Sequence, residues 1–368
     1  MNKEVISVHY DELTLKGKLR PKFEKLLYDN IKSATEITPT KSRGRLFLER
    51  WDDRTTKKLA LTPGISWIGD AIIMERDLEA LKENIRSLLS LNGAKAVNID
   101  VRRIDKSFGS TSLLVKGEIM KALKLKSDSL GYKIRVEIMK DNFVINYNIK
   151  RCMGGMPIGS AGKVLSLFSG GIDSAVIPFE LMKRGCVVDL LHVYALPTVD
   201  GVLNSKIFSI ARTISETSEA KLYLVPFHDF AIRAAEINSR YELVLFKRFL
   251  LKLAEKLADT YDYKGVATGD SISQVASQTL DNLNAVSYGI NVPVFRPLIT
   301  KNKEEIISLA RTYGTYENSI EKYRDCCSIV SSNPITSAKR DILKALEIQI
   351  GMDKLIEESI SKMSVRQL

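Results

Sequence analysis

The sequence contains no run of about 18 consecutive apolar residues, which excludes an ordinary membrane-spanning helix. Its opening, Met1 to Tyr10, has neither the apolar stretch nor the small-residue cleavage site of a secretory leader, so a soluble cytoplasmic protein is expected. Cysteine is scarce. Four in 368 residues cannot form a disulfide scaffold, and no CxxC pair is present to start a zinc or iron–sulfur site. A Walker A loop is also missing: Gly162-Lys163 is followed by Val164, and Pro157 stands where the first glycine belongs. Internal repeats and low-complexity tracts are absent. What remains is a globular chain long enough for two or three domains of roughly 100–200 residues.

The charge that is present is uneven. Residues 1–150 carry 29 Lys and Arg against 20 Asp and Glu, while residues 151–368 carry 26 against 24, so most of the net +11 lies in the first part. Such an excess suits a polyanion such as RNA, because each neutralised phosphate releases counterions. A well-solvated basic surface has the same composition.

Hydrophobic periodicity divides the chain into three parts. Val5 to His9 and Arg45 to Glu49 read as strands and Pro21 to Lys32 as an amphipathic helix, a small α+β unit ending near Trp51. A second α+β part follows, with helices at Leu78 to Leu91 and near Val115 to Leu123, a strand at Ala96 to Arg102, and strands Lys133 to Met139 and Asn142 to Ile149 joined at Lys140-Asp141. The Gly- and Pro-rich segment Gly154 to Gly162 marks a linker. These boundaries give expected domains at 1–58, 59–154 and 155–368. Beyond the linker, apolar runs at Val164 to Phe168, Val187 to Tyr194, Lys221 to Pro226, Gly265 to Ala267 and Val292 to Pro297 alternate with helical patterns such as Ala175 to Arg184 and Tyr241 to Asp259. The fold class expected is α/β: a C-terminal doubly wound parallel sheet preceded by two small α+β domains, with the ligand site beyond the carboxyl ends of the strands.

Chemistry concentrates at the end of the first of those strands, in Ser169-Gly170-Gly171-Ile172-Asp173-Ser174. Two glycines let the backbone fold around an anion, and the helix that follows offers free N–H groups and a partial positive charge. Ser169 and Ser174 add hydroxyls, and Asp173 is placed to hold a magnesium ion on bound phosphates. An ordinary tight turn between strand and helix is the bland alternative.

The hexapeptide resembles the pyrophosphate loop of the ATP pyrophosphatase superfamily, whose members cleave ATP between its α and β phosphates to form an adenylated intermediate. Further segments narrow the resemblance: Gly162-Lys163-Val164-Leu165, Met182-Lys183-Arg184-Gly185, Thr268-Gly269-Asp270-Ser271, Gln274 to Thr279, Arg296-Pro297-Leu298-Ile299, Asp325-Cys326-Cys327, and near the start Asp11 to Gly17 with Arg20 and Phe23-Glu24. Together these are similar to the tRNA 4-thiouridine synthetase, or tRNA sulfurtransferase, family from about residue 5 to about residue 340. The resemblance implies a ferredoxin-like domain, a THUMP domain that grips the acceptor region of tRNA, and a PP-loop adenylating domain. It implies an enzyme that adenylates a uridine, position 8 in the family, and replaces its O4 with sulfur, with a possible side role in thiamine-thiazole sulfur transfer.

The resemblance and the charge of individual residues together suggest roles. Leu167, Phe168, Ser169, Gly170, Gly171, Asp173, Ser174, His192, Val193, Lys247, Arg248, Gly269 and Gln278 are expected at the nucleotide, with Asp173 and Cys326 catalytic. Lys16, Lys18, Arg20, Arg43, Arg102, Arg103 and Lys106 are expected at RNA phosphates, with Lys41 and Arg45 as neighbours of the same kind. ATP and Mg2+ are the expected cofactors, tRNA and a persulfide or sulfide donor the expected partners, and a homodimer is a possible assembly. Cys326 is expected to carry or resolve sulfur, Cys327 to be its companion, and Arg324 to favour the thiolate. The chain ends at Leu368 without a rhodanese segment, so a rhodanese-free form is expected and the sulfur donor stays open. Ala175 stands where the family has a proline after the loop serine, and Pro178 is expected in the first helical turn. Two other readings remain: a different adenylating enzyme on this fold, and a THUMP-type RNA-binding protein without catalysis.

Overall fold

The computed structural model describes residues 2–42, 44–49, 52–124, 126–330 and 333–368, apart from the side chains of residues 14–16. The chain forms two compact units, Met1–Met156 and Pro157–Leu368, and the boundary falls inside the Gly- and Pro-rich segment.

The first unit is built on one eight-stranded sheet. Its strands are β1 (Lys3–Tyr10), β2 (Thr40–Ser42), β3 (Arg45–Leu48), β4 (Ile65–Glu75), β5 (Ala96–Arg103), β6 (Lys126–Ser127), β7 (Tyr132–Ile138) and β8 (Asn142–Arg151), in the order β2-β3-β1-β4-β8-β7-β5-β6. The expected ferredoxin-like and THUMP segments therefore share a single sheet, joined by the antiparallel pairing of β4 with β1 and β8. Helices α1 (Arg20–Thr35) and α2 (Asp53–Ala60) contribute to one apolar cluster with Ile6, Val8, Leu27, Leu46 and Leu59. Helices α3 (Leu78–Leu91) and α4 (Ser112–Leu123) contribute Leu81, Ile85, Val115 and Ile119 to another, closed by Ile99, Ile134 and Phe143. Each of α2, α3 and α4 starts at a residue whose side chain accepts backbone N–H groups: Asp52, Asp77 and Thr111.

Strand β4 was not anticipated from the sequence, and its register explains why. A shift between Ile68 and Asp70 against β8 breaks the two-residue alternation that identifies a strand. A polar network crosses the sheet in the same region. His9 stacks on Trp67 with ring centroids 3.4 Å apart, the Arg135 guanidinium lies 4.7 Å over Trp67, and buried Glu137 receives both Arg45 Nε and Nη2.

The second unit has the expected alternating architecture. Strands β9 (Lys163–Leu167), β10 (Val187–Tyr194), β11 (Lys221–Pro226), β12 (Val266–Ala267) and β13 (Val294–Phe295) are parallel, and β14 (Ser364–Gln367) adds an antiparallel edge not foreseen in the sequence. The order is β13-β12-β9-β10-β11-β14. From β9 the chain winds one way to β10 and β11, then the other way to β12 and β13. The switch point therefore lies between β9 and β12, where a doubly wound sheet leaves its crevice. The long helix Ser239–Tyr261 packs Val244, Phe246, Phe249, Leu253 and Leu257 into a large apolar cluster. Among the described residues no helix is long and apolar enough to cross a membrane.

Candidate functional site

At the carboxyl end of β9 the chain turns through Ser169-Gly170-Gly171 into helix α5 (Ile172–Lys183). Gly170 has φ +79°, and a Cβ there would meet Ile207 Cδ1 at 2.2 Å, so only glycine fits both the torsion and the packing. The Ser174 hydroxyl accepts from the N–H groups of Ser169 (3.2 Å) and Gly170 (3.1 Å) and donates to Gly171 O (3.0 Å). Gly171 N–H is held by Ser169 Oγ at 3.3 Å. The loop's donors thus converge on serine hydroxyls that a phosphate can replace as acceptors. Pro178 is the seventh residue of α5 rather than part of its first turn, so the expected placement is corrected; the N–H it lacks would otherwise bond one turn back.

A cavity of about 200 Å³ opens beside this loop. Leu167, Phe168, Ser169, Gly171, Asp173 and Ser174 line it from the loop side, Val193 from the end of β10, Lys247 from the long helix, Gly269, Asp270 and Gln278 from beyond β12, and Asp325, Cys326 and Cys327 from the chain near 326. Residues from five separate stretches expected at a nucleotide or at sulfur therefore meet in one place.

Asp173 faces the cavity with both oxygens engaged: Oδ1 accepts from Lys303 Nζ at 2.7 Å and Oδ2 from Gln274 Nε2 at 2.9 Å. Sequence reasoning did not single out Lys303. The available signal was the capping box Asn302 to Glu305, which starts the helix Lys303–Thr312 and sets Lys303 at its first position. Asp270 is a second charged centre, receiving Lys247 Nζ (3.1 Å), Thr268 Oγ1 (2.7 Å) and Arg296 Nε (3.4 Å). Burial alone would raise its carboxyl, but Lys247 and these partners hold it below the ordinary carboxylate value.

Gln278 is buried, and its Oε1 has no partner among the described residues. An amide oxygen left in that state at a cavity wall is suited to a ligand donor. At Gly269 an added Cβ would meet Ile177, Asp173 and Ser174 only at ordinary contact distances of 3.4 to 3.5 Å. The protein itself does not require glycine there.

Arg248 corrects an expectation. Its guanidinium is buried, donating to Glu347 Oε1 (2.8 Å) and to Val286 O (2.9 Å), and it does not line the cavity. The charged helix face read from sequence is divided: Lys247 turns to the site and Arg248 to the core. His192 is likewise beneath the site. Its ring is fully buried, with Nδ1 2.7 Å from Phe168 O and Nε2 2.9 Å from the Tyr323 hydroxyl.

Cys326 and Cys327 open the short helix Cys326–Val330. Cys326 Sγ donates to Val193 O at 3.3 Å. Burial, and then the Asp325 carboxylate, push its thiol far above the ordinary range. Cys327 is pushed up to about 12, by burial first and Asp325 next, with Lys247 opposing. The expected influence of Arg324 is corrected, because the charges acting on these thiols are Asp325, Lys247 and Asp270. Both are protonated at neutral pH in this state.

The basic residues expected at RNA separate by partner. Arg20 and Lys41 pair with buried Glu24, Arg45 with Glu137, and Arg102 with Asp100. Arg103 donates to Phe108 O and Ser110 O. Lys18 and Lys106 are exposed. Arg43 and the Lys16 side chain lie outside the described residues. Asp11, in the opening motif, accepts from Gly155 N–H at 2.7 Å.

The family model for thiamine biosynthesis protein (ThiI) matches residues 159–352, and that for the ThiI ferredoxin-like domain matches residues 5–69. The chain is 32% identical to a protein named "Probable tRNA sulfurtransferase" from Macrococcus caseolyticus, covering 98% of this chain and 95% of that one. It is 30% identical to one of the same name from Brevibacillus brevis, covering 100% and 97%. A crystal structure of a 4-thiouridine synthetase in complex with RNA and bound ATP matches with a TM-score of 0.87 at 28% identity over the whole of both chains. With its second unit matched over most of its length and its relatives aligned from end to end, the chain belongs to the ThiI family.

Proposed function

We propose that this protein is an ATP-dependent tRNA sulfurtransferase that converts a uridine, by family resemblance the one at position 8, to 4-thiouridine in the cytoplasm. The observation that carries this reading is the shared cavity: a phosphate-binding loop on one wall and Cys326 and Cys327 on another. Activation acts on the uracil O4 and sulfur delivery on the C4 that bears it, so they need their groups within one pocket. The 4-thiouridine synthetase of similar fold, with RNA and ATP bound, supports it.

In the first step the uracil O4 attacks the α-phosphorus of ATP, and pyrophosphate leaves. Backbone N–H groups of Ser169 to Gly171 and the start of α5 take the phosphates, while Gln278 and the strand ends at Phe168 and Val193 hold the nucleoside. Asp173 is the carboxylate on the helix that the loop enters, and it would hold a magnesium ion arriving on the nucleotide. Among the described residues no cluster of three metal-ligating side chains exists. Bound there, magnesium would offset phosphate charge. Lys303, displaced from Asp173, is within reach of the same phosphates.

In the second step a sulfur nucleophile attacks C4 and AMP leaves. Sulfide admitted beside Cys326 does this directly, whereas a persulfide on Cys326 gives a C4–S–S–Cys326 linkage; a second thiol, Cys327 or an external one, must then attack Cys326 Sγ to free 4-thiouridine, and external thiol must reduce the disulfide so formed. The first unit, with expected ferredoxin-like and THUMP segments at 1–58 and 59–154, binds the acceptor region of tRNA through Lys18, Lys106 and the shape of the RNA backbone. Sulfur transfer to a thiamine-thiazole precursor would draw on the same cysteine. The test is incubation of the protein with ATP, magnesium, unmodified tRNA and sulfide, followed by mass spectrometry of the tRNA nucleosides; 4-thiouridine is the expected product, and its absence alongside unconsumed ATP rejects the reading.

A further inference from the structure

His192 and Tyr323 are 131 residues apart in sequence, yet their side chains close a chain of hydrogen bonds beneath the cavity. The chemistry of this chain has only one solution. Phe168 O can only accept, so His192 Nδ1, 2.7 Å away, carries a proton. The ring is neutral, since burial lowers its pKa to about 4, and a neutral imidazole has one N–H. Nε2 is therefore a bare acceptor, and the Tyr323 hydroxyl, 2.9 Å from it, must donate.

The two ends of the chain of bonds matter. Phe168 immediately precedes Ser169, the first residue of the phosphate loop, and Tyr323 precedes Cys326 by three residues. Cys326 makes its own bond to Val193 O, the residue next to His192. The cysteine segment is thus fastened at two adjacent residues of β10, and β10 is paired with β9 directly below the loop, Leu191 opposite Leu167.

We propose that Tyr323 is a positioning residue for sulfur delivery: through His192 it sets the register of the Cys326 segment against the strand ends that lead into the phosphate loop. This rests on the sulfurtransferase reading above. Tyr323 touches no reacting atom in this account. It acts by holding His192 in one tautomer and Cys326 at one distance from the activated carbon.

Tyr323→Phe is the informative change, because it keeps the ring, whose centroid lies 5.7 Å from that of His192, and removes only the donor. The sequence has three histidines, so imidazole nitrogens can be resolved by 15N NMR. The wild-type protein should show His192 protonated at Nδ1, with an unprotonated, hydrogen-bonded Nε2. In Tyr323→Phe that Nε2 signal should shift or divide between tautomers. The variant should keep tRNA-dependent pyrophosphate release within about threefold, while 4-thiouridine formation falls by about tenfold or more. Unchanged thiolation in the folded variant, or equal loss of both steps, overturns the proposal. The wild-type spectrum alone also decides: protonation at Nε2 rejects the register outright, even if Tyr323→Phe fails to fold. If wild type releases no pyrophosphate with tRNA, it is the sulfurtransferase reading that fails, and the His192 spectrum still judges the hydrogen-bond register separately.

Discussion

Lys303 Nζ donates to Asp173 Oδ1 across 2.7 Å, joining the first position of one helix to the first turn of another at the mouth of the phosphate loop. The pair is partly exposed, with Lys303 at 45% and Asp173 at 21% side-chain accessibility, so it contributes little to stability. Its place beside the loop gives it a different use. On the reading proposed above, Asp173 would keep Lys303 as its countercharge until a metal-bearing nucleotide arrived, and Lys303 would then turn to the phosphates.

Lys303→Gln should therefore lower kcat/KM for ATP by on the order of 100-fold while leaving the melting temperature nearly unchanged. Asp173→Ala should abolish adenylation. Steady-state pyrophosphate release with tRNA, alongside a thermal melt, measures both. A Lys303→Gln enzyme of normal activity would remove this lysine from phosphate binding.

Gly269→Ala separates protein packing from ligand approach. The added methyl meets its protein neighbours only at ordinary contact distance, so the fold should be retained. On the proposed reading, which sets the nucleotide against this backbone, ATP affinity should nevertheless fall by about tenfold. Calorimetric titration with a non-hydrolysable ATP analogue would show it; wild-type affinity would mean that the nucleotide stays clear of this wall.

Much of the site was legible because its chemistry is local. Ser169 to Ser174 lies between an apolar strand and a helix, and the glycines, serines and aspartate that serve it are adjacent in sequence. Arg248 was not legible, since its partners Glu347 and Val286 O come from elements about 40 to 100 residues away and nothing in a charged helix face reveals which cation turns inward. Tyr323 was missed for the same reason. In the first unit the irregular register of β4 hid the strand that joins the two expected domains into one sheet.

Arg248→Ala should behave as a core mutation. It leaves Glu347 with Lys252 but without its buried partner, and frees Val286 O, which should cost about 3 kcal/mol or more. Urea denaturation would measure this loss. In the folded fraction KM for ATP should stay at the wild-type value, and a large rise in KM with no loss of stability would return Arg248 to the nucleotide site.

The buried histidines predict an acid-side weakness. His9 is held well below its ordinary 6.5 by burial and then by Arg45 and Arg135, and His192 is lowered to about 4 by burial. Below about pH 6.5 the unfolded chain binds more protons at these positions than the folded one, so stability is full above that pH. It should decline as pH falls from 6.5 toward 4, by a few kcal/mol in total. Denaturation midpoints at pH 7.5, 6 and 5 follow this, and a flat profile would contradict the burial of both rings as neutral groups.

The central claim is that adenylation and sulfur delivery share one cavity but use different groups within it. The most direct measurement counts pyrophosphate and 4-thiouridine in parallel, for wild type, Cys326→Ser and Cys327→Ser, with unmodified tRNA, ATP, magnesium and a persulfide donor. Wild type should produce the two products in equal amounts, Cys326→Ser should release pyrophosphate without forming 4-thiouridine, and Cys327→Ser should be impaired less. Wild-type 4-thiouridine formation by Cys326→Ser would contradict the account.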